Sequence, residues 1–283
     1  MFDSEYRMRY PIHDSVLEDI LPYSLSLPVT AVSSQDKVWT ASILLRFFLE
    51  SSTDQILVID NKQPSGLVGG YDIIRGILED PDSDFFDGKT VGQIMYRQLD
   101  LVNTTTKITE VLRKWRQSRR AFSIIRKGSN LSALSIRMLL DVYPFLDTAL
   151  TIQDIPKKKL VYYDKEQSVR DILNLMLQNK TRRLVLKGTL SFISDRIIIE
   201  HLITNLNYLH DIADFLEMDS SIFSPSSIKS IPENTTIQKL CQILHAMDHP
   251  YVASSDQVFS PFDIIGILER DDVYAKNLLT VKR

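Results

Sequence analysis

A single cysteine, Cys241, is the only thiol in this chain of 283 residues. No internal disulfide can form, so packing alone must hold the fold, and a reducing, cytoplasmic setting is expected. Long hydrophobic runs are missing as well, and the short apolar stretches present are far from a membrane span. The opening MFDSEYRMRYPIHDS is polar and mixed in charge, without the apolar core of a signal peptide. Neither charge sign is in large excess: 33 Lys and Arg face 36 Asp and Glu, a formal net charge of −3. That balance argues against wholesale coating of nucleic acid or an anionic membrane. Catalytic signatures are absent too. There is no P-loop, no G-x-S-x-G, no H-E-x-x-H and no dinucleotide fingerprint, since GLVGG has the wrong spacing. The lone thiol falls inside a helical stripe, a poor place for a nucleophile. A non-enzyme is expected. What remains is an ordinary globular composition, 44% hydrophobic and 24% charged, enough for about two domains.

Against these absences stands internal repetition. Three segments carry apolar residues at i, i+3, i+4 and i+7, the stripe of an amphipathic helix. They are Ile108, Val111, Leu112, Trp115; Val169, Ile172, Leu173, Met176; and Ile237, Leu240, Cys241, Leu244. A fourth, looser copy has Val38, Ala41 and Leu45, with Ser42 in the remaining slot. A short β-prone segment precedes each helix: PVTAVSS, LDLVNTT, KLVYYDK and IKSIPEN. Two strand-like stretches about a polar turn follow each one, as in LVLK–GT–LSFIS and YVAS–SD–QVFS. A second helix then comes each time: YDIIRGILED, IRMLLDVYPFL, DRIIIEHLITNL and PFDIIGILER. The fold class is therefore α/β, built from four β-α-β-β-α repeats.

The unit, above all ISDRIII, FSPFDII and the lead-in TVGQIM, resembles the CBS domain, named after cystathionine β-synthase. Four copies without a catalytic domain resemble stand-alone prokaryotic CBS proteins and the gamma subunit of AMP-activated protein kinase. The resemblance implies repeats at about 11–84, 88–146, 147–207 and 208–275. It implies that consecutive copies pair into two Bateman modules, 1–146 and 147–283, separated at DTALTIQDIPKKK. It also implies a regulatory role. The cleft between paired repeats would take AMP, ADP, ATP or S-adenosylmethionine, and a protein partner or a second copy would read the change.

In the family a Ser or Thr ends the last strand, and an Asp three residues later begins the second helix. Helix-start N–H groups and a hydroxyl suit a phosphate, and a carboxylate can accept both hydroxyls of a ribose diol. The four copies differ here. The first keeps Asp72 but has Gly69; the second keeps Ser135 but has Met138; the third keeps Ser194 but has Ile197. Only the fourth has both Ser260 and Asp263. One full site at Asp263 and a partial one at Asp72 are expected. The resemblance further places basic residues after the first helices of the second, third and fourth copies: Arg119 and Arg120, then Lys180, Arg182 and Arg183, then His249. With consecutive pairing, Thr181, Arg182 and Arg183 would flank the ligand at Ser260 and Asp263, and Arg119 and Arg120 would face Asp72.

Blander readings compete. Ser260, Pro261 and Asp263 also make an ordinary capping box. The basic run RKWRQSRRAFSIIRKG, with Trp115, could contact nucleic acid, although Trp115 belongs to a buried stripe. His245 and His249, at i and i+4, have metal-ligand spacing without an evident third ligand. A ligand-independent scaffold with decayed sites, used for dimerisation or docking, is the main alternative to a sensor.

Overall fold

In the computed structural model the described residues are 9–20, 29–47, 55–128 and 130–276. The four repeats are present, with the same order of elements in each. The first runs from strand Ala31–Val32 through helix Val38–Phe47 and hairpin Gln55–Asp60/Gln63–Gly69 to helix Gly70–Glu79. The second has strand Leu101–Asn103, helix Ile108–Ser118, hairpin Phe122–Lys127/Asn130–Ser135 and helix Ile136–Val142. The third has Tyr162–Tyr163, Val169–Gln178, Arg183–Leu186/Ser191–Ser194 and Asp195–Thr204. The fourth has Lys229–Ser230, Ile237–His245, Val252–Ser254/Gln257–Phe259 and Pro261–Glu269.

In the first three repeats the opening strand lies parallel to the first strand of the hairpin. The intervening helix makes that crossover possible, because parallel neighbours cannot be joined by a tight turn. Each sheet has three strands, except that Ser226–Ser227 adds a fourth to the third repeat. The three full helical stripes read from the sequence are buried: Trp115, Met176 and Leu244, with their stripe neighbours, lie inside, while Leu45 of the looser first copy is partly buried. Ser42, the odd member of its stripe, is buried because its hydroxyl donates to the Val38 carbonyl at 2.9 Å. One expected α-helix differs, since Pro261–Glu269 is wound as a 3-10 helix.

Four short lead-in segments hold the first helices by one shared hydrogen-bond pattern. The N–H of Ile108 donates to Ser15 O at 3.0 Å, while the N–H of Leu17 donates to Thr106 O at 3.0 Å. The same reciprocal pair joins Val38 to Lys89 and Val91 to Asp36, at 3.1 and 2.8 Å. It recurs between Ile237 and Leu150 and between Ile152 and Thr235, at 3.1 and 3.0 Å. A fourth copy links Val169 to Met218 and Ser220 to Gln167, both at 2.8 Å. Each lead-in carbonyl thus satisfies a helix-start N–H that has no partner within its own helix. Each lead-in also lies next in sequence to one repeat while capping its consecutive neighbour. Repeats one and two exchange segments in this way, as do three and four.

The chain divides into two compact units that do not follow sequence order. The second and fourth repeats, Asp100–Lys158 and the chain from Ser230, form one with the N-terminal segment. The first and third, Val29–Leu99 and Lys159–Lys229, form the other. The expected boundaries 1–146 and 147–283 are therefore not those of the compact units. The reason is helix packing. Val38–Phe47 packs on Asp195–Thr204, and Gly70–Glu79 packs on Val169–Gln178 and Asp195–Thr204. In the other unit Ile237–His245 packs on Ile136–Val142, and Ile108–Ser118 on Pro261–Glu269. DTALTIQDIPKKK is not a free linker either. Leu146–Asp147 pairs with strand Tyr274–Lys276, and Leu150, Ile152 and Ile155 are buried.

Candidate ligand site

Each second helix begins straight from the end of a strand, with its N-cap residue in extended conformation. The N-caps are Gly69, Ser135, Ser194 and Ser260, and the third helical positions are Asp72, Met138, Ile197 and Asp263. The four starts share one geometry but not one chemistry. In the third repeat Ser194 Oγ accepts the Ile197 N–H at 3.2 Å, an ordinary cap.

In the fourth repeat Asp263 Oδ2 accepts the Ser260 N–H and the Ser260 hydroxyl, each at 2.7 Å. The same oxygen meets Lys158 Nζ at 2.5 Å. The capping box expected from the sequence is therefore real. Yet all three bonds fall on one oxygen, and among the described residues Oδ1 takes none. The Asp263 side chain keeps 15% of its surface accessible. Asp72 differs. It is fully buried, accepts the Gly69 N–H at 3.0 Å and lies 3.7 Å from Arg75. Asp72 is thus an interior helix cap, at the position where the sequence suggests a partial site.

The basic residues sort by unit. The Arg119 guanidinium lies 5.5 Å from the centroid of the Phe262 ring, at the head of the fourth repeat's second helix. Arg119 takes a left-handed backbone with φ of 59° at the end of its own helix. That conformation is uncommon for a residue with a side chain. Arg119 and Arg120 were expected opposite Asp72; Arg119 instead belongs to the unit that holds Asp263. Thr181, Arg182 and Arg183 fall in the other unit, with Asp72. Thr181 Oγ1 donates to the Arg183 carbonyl at 3.0 Å, while Arg182 Nε donates to Asp195 Oδ2 at 2.7 Å. The expected grouping of these three with Ser260 and Asp263 is not found within either unit. His249 lies half-buried in the turn after Ile237–His245, in the unit of Asp263.

Three functional candidates escaped the sequence reading. Lys158 was hidden in a presumed linker, its only signal being the KKK run. Asp195, with 3% of its side chain accessible, was passed over because it stands one residue after the N-cap instead of three. Arg137 sits in an apolar turn, SIRMLL, where a basic residue is out of place. It is 9% accessible and donates to the Met247 carbonyl at 2.8 Å. Among the described residues no carboxylate lies within ion-pair distance of it. A buried guanidinium without an anion is costly, because its hydration is lost and no opposite charge replaces it.

Other readings lose support. Trp115 is buried, and its indole N–H donates to Ser123 Oγ at 2.7 Å, so it offers no face to a nucleobase. His245 lies 3.0 Å from Asp141, and no cluster with metal-ligand composition occurs among the described residues. Burial pushes the Cys241 thiol well above its ordinary range, which disfavours the thiolate. Among the described residues no helix is long and apolar enough to cross a membrane.

Comparison with known proteins agrees with this architecture. Residues 152–204 match the family model of the CBS domain. Protein MJ1225 from Methanocaldococcus jannaschii superposes with a TM-score of 0.72 at 16% identity, covering 84% of this chain and 95% of that one. An uncharacterized conserved protein from Pyrococcus horikoshii gives a TM-score of 0.52 at 8% identity, covering 85% and 95%. Among curated proteins no sequence matches. The chain thus carries a match to the CBS domain at 152–204, and over most of its length it shares the fold of MJ1225.

Proposed function

We propose that this protein is a regulatory sensor that binds an adenine nucleotide or a related adenosyl compound. Its site lies at the head of the fourth repeat's second helix. The observation that carries the reading is the charge arrangement of one unit. There, among the described residues, Asp263 keeps one carboxylate oxygen open, Arg137 is buried without an anion, and Arg119 borders Phe262. Asp263 and the Ser260 hydroxyl would hold the ribose, and the two arginines would take the phosphate charge. AMP, ADP, ATP and S-adenosylmethionine are the candidate ligands, bound reversibly rather than as a prosthetic group. MJ1225, whose fold is similar, has itself been proposed as an archaeal homologue of g-AMPK, which agrees with such a role. Binding would shift the packing of paired repeats, and a protein partner or a second copy in the cytoplasm would read that shift without catalysis by this chain.

Thermal unfolding tests the reading. A ligand at about 100 times its Kd stabilises the native state by about 2.7 kcal/mol. At least one of the four compounds should raise Tm for the natural chain, and the rise should be lost in Asp263→Ala. Equal melting of both proteins with every compound would support a second reading, a ligand-independent scaffold. Met138 and Ile197 favour that alternative, because apolar side chains there cannot bind a diol.

A further inference from the structure

We infer that Lys158 is a built-in competitor for the ribose site and sets its affinity. The inference rests on the reading of Asp263 as the diol acceptor. A carboxylate oxygen has room for about two strong donors. Asp263 Oδ2 already has three: the Ser260 N–H and hydroxyl at 2.7 Å, and the Lys158 ammonium at 2.5 Å. A ribose diol needs both carboxylate oxygens, one for each hydroxyl. Oδ1 is open for the first, but the second must displace a donor from Oδ2. The Ser260 N–H cannot leave without opening the helix start. The ammonium can, because it ends a flexible chain whose side chain is 37% accessible.

The same ammonium already borders an aromatic face. Lys158 Nζ lies 5.6 Å from the centroid of the Tyr251 ring, whose face attracts a cation. Lys158 also stands three residues after Ile155, in the segment whose Leu150 carbonyl caps the fourth repeat's first helix.

Adenosine isolates the effect, because it carries the diol and no phosphate. Its affinity should rise up to about fivefold in Lys158→Met and Lys158→Gln, the gain expected when one partly exposed ion pair no longer competes for Oδ2. 2′-Deoxyadenosine, lacking one hydroxyl, should gain little from either variant. Added salt should narrow the gap between the natural chain and the variants, since it weakens the competing ion pair. Calorimetric titration reads all three. Equal or weaker adenosine binding in both variants overturns the competitor role while leaving the ribose site standing. No binding of adenosine or AMP to any of the three proteins overturns the ribose site itself, and the competitor with it.

Discussion

The two compact units use one scaffold and treat their buried charge in opposite ways. In the unit of the first and third repeats, Asp195 is 3% accessible and is met by Arg182 at 2.7 Å. Asp72 in the same unit is buried and caps its own helix. Its acids are satisfied from within. In the unit of the second and fourth repeats, Arg137 is buried with a carbonyl as its partner, and Asp263 retains an open oxygen. A carboxylate next to an arginine has its charge balanced without outside help, whereas a guanidinium lacking one gains from an anion supplied by solution. The first arrangement suits structure, and the second suits binding.

The sharpest way to break this contrast is to remove one arginine from each unit. Arg182→Leu leaves the Asp195 carboxylate buried and unpaired, and should cost about 3–5 kcal/mol in chemical denaturation. Arg137→Leu deletes a charge that has no carboxylate, and should cost nothing comparable or even stabilise. If both variants lose the same stability, the units are equivalent and the contrast is wrong.

Ligand binding should invert that order. Arg137→Leu should weaken AMP binding about tenfold or more, as for loss of one hydrogen-bonded charge, while leaving adenosine affinity nearly unchanged. Arg182→Leu, tested where it remains folded, should leave both affinities alone. Titration of the two ligands into each variant decides the matter.

A smaller effect probes the closed unit from its other side. A Cβ built on Gly70 would stand 2.6 Å from Asp195 Oδ2 and 3.0 Å from its Cγ. Gly70→Ala must push the carboxyl away from Arg182, and should cost about 1–2 kcal/mol by overpacking. Double-mutant analysis with Arg182→Leu should show the two costs failing to add.

The smallest expected effect is a pH dependence confined to the same unit. His201 stacks on Tyr208 and meets Phe223 edge-on, and among the described residues its buried Nε2 finds no partner. Burial lowers its pKa below the ordinary 6.5. On acidification the unfolded chain therefore takes up a proton before the folded one does. The contribution is present above about pH 6.5 and is lost as pH falls towards the lowered folded value. Tm of the natural chain should drop more between pH 7 and pH 5 than that of His201→Leu. Parallel curves would show that another group sets the acid response.

Much of the fold was legible because its signals are local. The stripes at Ile108, Val169 and Ile237 repeat over a full helix, and the hairpin turns lie within a few residues of their strands. The lead-in segments were harder. TVGQIM was recognisable by resemblance, but Leu17 with Ile20 and Ile152 with Ile155 are single-turn pairs too short for a period to emerge. At the site, the places of Ser260 and Asp263 followed from repeat register alone. Lys158 did not, because its partner Asp263 is 105 residues away and its own neighbours look like a linker. Arg137 was hidden by an apolar run whose burial is visible only when helix Ile237–His245 packs on it.

The sequence by itself determined the repeating unit, since period, turn chemistry and helix starts are settled by residues a few positions apart. Only the tertiary structure decided which repeats share a compact unit and which buried charges find an opposite one. Those outcomes depend on helix faces and side chains that are distant along the chain and meet only after folding. Coulomb attraction and desolvation act on that final separation, which no local pattern records.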